Sequence, residues 1–312
     1  MAPLHYLCSV LLKYYTVTDR SKTLKKDVLM IEVKNLSFHY QGSKHQVFSG
    51  FNLTLGEGKV HGLLGRNGTG KSTLLYLIAG LLAPCEGSVT FDGKESRRRS
   101  PSMLSQLFLV PEEYAMPQMS FRQFAAQMRA FYPTFNDDLL ARCLRDFEMP
   151  AEPNLRELSM GQKKKVYMSF AIAAGTRLLM MDEPTNGLDI PSRSLFRKVV
   201  ANYMDDSRTL IISTHQVHDV ETLLDHVSII DGSRVLLDDD MGALADKYDF
   251  KLIQPQDDTE DVLYAEPSLQ GNMAILSHRQ GEQTQVNLEL LFNAVSKGAI
   301  KPESATSKSN AL

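Results

Sequence analysis

The chain has 312 residues, enough to bury a sizeable core, which excludes a peptide hormone or a disulfide mini-protein. Hydrophobic residues make up 43%, charged residues 23% and aromatics 8%, ordinary globular usage that excludes disordered, collagenous and coiled-coil chains. The 34 Lys and Arg against 37 Asp and Glu leave a net charge of −3, so no global positive field attracts nucleic acid or anionic lipid, and no nucleic-acid partner is expected.

Residues 1–29 show no clear period, and Met30 looks like a natural start. They are expected to be an upstream extension without a fold-wide role, the alternative being an added helix or a partner-binding arm. Met30-Ile31-Glu32-Val33 opens an alternating, strand-like segment that runs to Tyr40. From there to about Asp240, apolar strand candidates alternate with helical patterns, which predicts an α/β domain over residues 30–240 with a largely parallel sheet. The strand candidates are Lys59 to Leu64, Leu107 to Val110, Leu178 to Met181, Thr209 to Ser213 and Val227 to Ile230. Leu178-Leu179-Met180-Met181 is continuously apolar, as a strand covered on both faces should be. Two amphipathic stretches between Ser120 and Glu148, split by Tyr132-Pro133-Thr134, predict a helical insert over about residues 113–157. Residues 241–300 carry strand-like pieces at Phe250 to Ile253, Val262 to Ala265 and Met273 to Ser277, then a helix from Leu288 to Ser296. They predict a small appended α+β subdomain, and the Ser-, Lys-, Ala- and Asn-rich residues 301–312 a mobile tail.

The cysteines, Cys8, Cys85 and Cys143, are odd in number and lack metal or Cys-x-x-Cys spacing, which fits a reducing compartment. Apolar runs such as Leu7 to Leu12 and Leu74 to Leu82 fall short of the roughly 20 residues of a membrane-spanning helix. Met1 to Leu12 has neither a basic leading region nor a cleavage site, so a cytoplasmic location is expected.

Gly65-Arg66-Asn67-Gly68-Thr69-Gly70-Lys71-Ser72-Thr73 matches G-x-x-x-x-G-K-[ST] between a strand and a helix predicted over Lys71 to Leu82. Such a loop turns successive N–H groups inward at a helix N-terminus, a hollow suited to a polyphosphate. Lys71 would reach the β- and γ-phosphates, and the Ser72 hydroxyl would bind Mg²⁺. The strand Leu178 to Met181 runs into Asp182-Glu183-Pro184, and ligands of open α/β sheets bind at the carboxyl ends of strands. There Asp182 would serve the Mg²⁺ shell and Glu183 would orient the attacking water or act as general base.

Between these elements stands Leu158-Ser159-Met160-Gly161-Gln162, and here the chain resembles the ATP-binding cassette (ABC) family, whose signature reads LSGGQ; Met160 is the one departure. The resemblance covers roughly residues 30–240. It implies a P-loop NTPase core with ABC-type antiparallel β and α-helical subdomains, here with the C-terminal α+β extension. It also implies that Tyr40 stacks on adenine and that Ser159, Met160, Gly161 and Gln162 act on ATP held by a partner cassette. Glu112 stands where many members have a Gln that contacts Mg²⁺ or its water. Asp189, in Asn186-Gly187-Leu188-Asp189, matches the acid of the D-loop, and His215 the switch histidine at the γ-phosphate. His39, His45, His61, His218 and His226 are read as structural, and Lys163-Lys164-Lys165 and Arg97-Arg98-Arg99 as solvated surface.

With one set of motifs, the chain should need a second cassette, identical or similar, to hydrolyse ATP. The family resemblance implies an ATPase subunit of a transporter, held to the cytoplasmic face of the membrane by separately encoded permease subunits that dock on the helical insert. Leu109-Val110-Pro111-Glu112-Glu113, Phe131-Tyr132-Pro133-Thr134-Phe135 and the C-terminal region resemble bacterial ABC-2-type export cassettes. The alternative is a soluble cassette of the iron–sulfur cluster assembly type. Lys71 and Ser159 lie only 88 positions apart, which leaves no room for the coiled-coil arm of a DNA-maintenance cassette.

Overall fold

In the computed structural model, which describes residues 29–254, 261–278 and 284–301, the alternating segment at Met30 forms β1 (Leu29–His39). It pairs antiparallel with β2 (Gln46–Gly56). β3 (Val60–Leu64) leads into α1 (Lys71–Ile78), and β4 (Glu86–Phe91) with the two-residue β5 (Lys94–Glu95) completes a four-stranded antiparallel sheet of order β2-β1-β4-β5. α1 stops four residues short of the predicted Leu82. Gly80 there adopts a left-handed φ of 68° while Leu81 N–H and Gly80 N–H bond back to the Tyr76 and Leu77 carbonyls, a Schellman ending.

After the single turn α2 (Pro101–Leu104) come β6 (Leu107–Val110), α3 (Phe121–Phe131), α4 (Asp137–Asp146), α5 (Met160–Ala173), β7 (Leu178–Asp182), α6 (Ile190–Tyr203) and β8 (Thr209–Thr214). β9 (His226–Asp231) and β10 (Arg234–Asp240) follow, then α7 (Met241–Lys247), β11 (Tyr248–Ile253), β12 (Val262–Ser268), β13 (Gly271–Ser277) and α8 (Leu288–Ser296). The central sheet has the order β10-β9-β3-β8-β7-β6 and is parallel except for β10. Leu178, Met180 and Ile211 face a core shared with α1 and the antiparallel sheet, while Leu179, Met181, Leu210 and Ile212 face the helices of the opposite layer. Both faces are thus covered, which explains the unbroken apolar runs of β7 and β8.

α3 and α4 sit on the helical layer, each started by a side-chain cap, Ser120 for α3 and Asn136 for α4. β11, β13 and β12 form a separate antiparallel sheet, yet its Phe250 and Ile275, and Leu288, Leu291 and Ala294 of α8, join the same apolar cluster as Val217, Val220 and Leu237 of the main body. The expectations for residues 1–28 and 302–312 lie outside the described residues. No helix among the described residues is long and apolar enough to cross a membrane.

Candidate functional site

Parallel pairing brings the carboxyl ends of four neighbouring strands to one edge: Leu64 lies opposite Thr214, Ser213 opposite Asp182, and Met181 opposite Val110. The loops carrying Gly65 to Gly70, His215, Glu183 and Glu112 therefore leave the sheet side by side. The phosphate-loop motif curls over the start of α1, where Gly70 takes a φ of 98°. A Cβ on Gly70 would lie 2.7 Å from Phe48 Cζ and 2.9 Å from Val47 Cγ1, so β2 closes against the loop in a way only glycine allows.

Lys71 is buried, and its Nζ donates to the carbonyls of Gly65 at 2.8 Å and Arg66 at 3.1 Å. It lies 3.7 Å from Glu183 Oε1. Burial lowers its pKa, with Glu183 and Asp182 opposing. Asn67 and Gly68 are exposed at the loop tip, and Thr69 anchors it by donating to the Arg66 carbonyl. Tyr40, 43% exposed, sets its hydroxyl 2.9 Å from Thr73 Oγ1, which fixes a solvent-facing aromatic ring beside the loop.

Asp182 is buried at the end of β7, and Ser213 donates to its Oδ1. Burial raises its pKa, with the Ser213 hydrogen bond and the neighbouring Ser72 hydroxyl opposing and the Glu183 and Glu112 charges adding to the rise. Its Oδ2 is buried without a hydrogen-bond partner among the described residues. An unpartnered carboxylate oxygen next to the Ser72 hydroxyl is the hard oxygen donor set that suits Mg²⁺, so these residues fit the ion.

Glu183 adopts a left-handed φ of 45°, strained for a non-glycine residue. Its carboxylate is held from three directions: Thr214 Oγ1 donates to Oε2 at 2.9 Å, and the His215 N–H donates to Oε1 at 3.1 Å, with His215 Nδ1 2.8 Å from the same oxygen. With an ionised carboxylate as acceptor, Nδ1 carries the hydrogen and Nε2 of a neutral ring keeps a lone pair. The site therefore gathers Lys71, Ser72, Asp182, Glu183 and His215. Glu112 reaches it indirectly, its Oε1 accepting from Asn186 Nδ2 at 2.6 Å.

Ser159 caps α5 through a capping box with Gln162, and Met160 behind it is 61% exposed. Gly161 approaches Leu188 and Gly187, so the signature segment abuts the loop before α6. Asp189 caps α6, accepting from the Ser192 N–H at 2.9 Å. The reading of Lys163-Lys164-Lys165 as a solvated face is corrected at Lys164, which is 8% exposed and donates to the carbonyls of Glu183 and Asn186. Its spacing from the buried Met168 and Ala171, four and seven positions on, was a helical-face signal that the charge run masked. Asn186 and Thr214 are further contacts to which the sequence assigned no separate role. A cavity of about 400 Å³ lies apart from this edge, between α3 and α4, lined by Phe121, Ala125, Leu140 and Leu144 and rimmed by the Arg122–Glu152 and Arg129–Asp137 ion pairs.

Comparison with known proteins agrees with this geometry. Residues 48–186 match the family model described as ABC transporter. The chain is 28% identical over 220 residues to the ABC transporter ATP-binding protein YtrB of Bacillus subtilis (strain 168), covering 70% of this chain and 75% of that protein. It is 27% identical over 215 residues to the lantibiotic transport ATP-binding protein SrtF of Streptococcus pyogenes, covering 67% of this chain and 90% of that one. A solved ATP-binding subunit of an ABC transporter shares the fold, with a TM-score of 0.62 and 23% identity over 69% of this chain and 91% of its own.

Proposed function

We propose, from its similarity to ABC transporter ATP-binding proteins, that the chain is a cassette of that kind and hydrolyses ATP to ADP and phosphate at the edge formed by β3, β8, β7 and β6. The observation that carries this reading is the convergence of Lys71 and His215 on one carboxylate, Glu183, beside the phosphate loop. Backbone N–H groups of the loop and Lys71 would bind the phosphates, Lys71 exchanging its carbonyl partners for phosphate oxygens. Ser72 and Asp182 would hold Mg²⁺, which when bound offsets charge on the phosphate oxygens, with Glu112 near that shell. Glu183 would orient the attacking water and take its proton, while His215 presents its ring to the γ-phosphate end. Tyr40 would stack on the adenine.

Ser159, Met160, Gly161 and Gln162 are proposed to cover the nucleotide of a second cassette, with Asp189 at the junction. The helix start at Ser159 and the exposed Met160 and Ile190 support that pairing. Permease subunits are proposed to dock on the helical insert, where the α3–α4 cavity offers an apolar floor inside a charged rim, and so to hold the chain at the cytoplasmic face. The named relatives are ATP-binding proteins of transporters, which favours transport over the iron–sulfur assembly alternative. An exporter of ABC-2 type is the finer reading.

Titration calorimetry tests the whole proposal. The full chain should bind Mg-ATP, Lys71→Ala should weaken that binding at least about ten-fold, and Glu183→Gln should retain binding while hydrolysis falls about 100-fold or more. No Mg²⁺-dependent ATP binding at millimolar nucleotide would overturn it, and unchanged turnover in Glu183→Gln would remove that carboxylate from the reaction.

A further inference from the structure

We propose that Lys164 is a positioning residue for ATP hydrolysis, its buried ammonium clamping the Glu183–Asn186 segment to the signature helix and balancing the charge of Glu112 across Asn186. The inference rests on the ATPase reading above.

A lysine on a helix normally extends its ammonium into water, because burying the charge unpaired is costly. Lys164 instead turns inward, and its Nζ donates to the Glu183 carbonyl at 3.1 Å and the Asn186 carbonyl at 2.7 Å. Among the described residues no carboxylate lies within ion-pair distance of it. Its partners are thus two main-chain oxygens of the turn that carries the hydrolytic carboxylate. The Glu183 peptide is pinned at both ends, since its N–H donates to the Ser213 carbonyl at 2.9 Å and its carbonyl accepts from Lys164. Those two bonds hold a residue whose φ of 45° the unsupported chain would abandon.

Asn186 extends the clamp. Its carbonyl accepts from Lys164, while its side-chain amide donates to Glu112 Oε1 at 2.6 Å. Glu112, Asn186 and Lys164 thereby link the loop after β6 to α5. Burial lowers the Lys164 pKa, and the charges of Glu112, then Glu183 and Asp182, act against that. Three carboxylates meet at this edge, and Lys71 is the cation that a polyphosphate would engage. Lys164 supplies the second positive charge from behind. Lys164 also follows Ser159 by five positions, about 7.5 Å along the helix axis. Displacement of the signature end therefore pulls directly on the backbone of Glu183.

The test uses the full chain with Lys164→Met, Lys164→Arg, Glu112→Gln and the Lys164→Met/Glu112→Gln pair. Steady-state hydrolysis, Mg-ATP calorimetry and thermal melting are measured on each. Lys164→Met should lower kcat roughly 10- to 100-fold while KM and Kd for ATP stay within about two-fold, and Lys164→Arg should recover part of that loss. The Met and Gln changes should be non-additive, the pair losing less than the product of the singles. Retained kcat in Lys164→Met, no recovery with Arg, a proportional loss of ATP binding, or strictly multiplicative effects each overturn the inference while leaving the ATPase reading standing. Absence of turnover in the unmodified chain overturns both.

Discussion

Two histidines at the amino-terminal ends of β3 and β9 sit in opposed electrostatic positions, with ring centroids 5.2 Å apart. His61 is buried, its Nε2 bonded to the Gly56 carbonyl at 2.9 Å, and burial pushes its pKa down to about 4. Burial also pulls on His226, but Asp238 and Asp240, each 3.0 Å from one ring nitrogen, outweigh it and hold that pKa above the ordinary value. Donating through both nitrogens requires the protonated ring. For His61 the unfolded chain binds the proton more tightly, so its contribution is whole above about pH 6.5 and is lost as pH falls toward 4. For His226 the folded chain binds it more tightly, so its contribution is whole below about pH 6.5 and is lost as pH rises through the raised value. Urea unfolding across this range should show His61→Leu flattening the acid limb of the stability profile and His226→Leu the alkaline limb. Identical pH profiles in both variants would contradict these charge assignments.

At the scale of the element, α3 and α5 begin with the same device. Ser120 and Gln123 close a capping box on α3, and Ser159 and Gln162 close one on α5. Loss of either hydroxyl should cost about 1 kcal/mol in an unfolding titration, because one amide of the first turn loses its partner. Capping alone therefore predicts that Ser120→Ala and Ser159→Ala behave alike. The proposed pairing of cassettes predicts that they do not. Ser159→Ala should lower ATP hydrolysis several-fold beyond its effect on stability, whereas Ser120→Ala should leave turnover near the unmodified rate. Equal turnover in the two variants would reduce Ser159 to a helix cap.

At the scale of the molecule, the C-terminal sheet and α8 share the core of the main body. α8 packs against β10, β12, β13 and the turn Val217–Asp219, two residues beyond His215. Leu288, Leu291 and Ala294 are wholly buried in that layer. Leu291→Ala should cost about 2–5 kcal/mol by cavity formation, and thermal unfolding should remain one cooperative transition that Mg-ATP shifts upward as a unit. A separate low-temperature transition insensitive to ATP would instead identify the C-terminal part as an independently melting body.

The sequence by itself determined the elements whose pattern is local. Leu107 to Val110 and Leu288 to Ser296 were bounded correctly from apolar periodicity, and the phosphate-loop and Asp182-Glu183 motifs were legible because their residues are neighbours along the chain. The Gly80 ending of α1 is equally local, yet the apolar run to Leu82 outweighs it in the sequence. Tertiary structure alone decided the rest. β2 and β4 have no continuous apolar run, and they become strands by pairing with β1, a choice of partner and register that no short window encodes. Lys164 reads as one of three solvated lysines until the carbonyls of Glu183 and Asn186 arrive from another element to satisfy it. Asn186 likewise meets Glu112 across 74 positions. Spacing along the chain specifies which chemical groups a segment offers, but burial and hydrogen-bond partners depend on contacts between distant segments, and those exist only once the sheet has assembled.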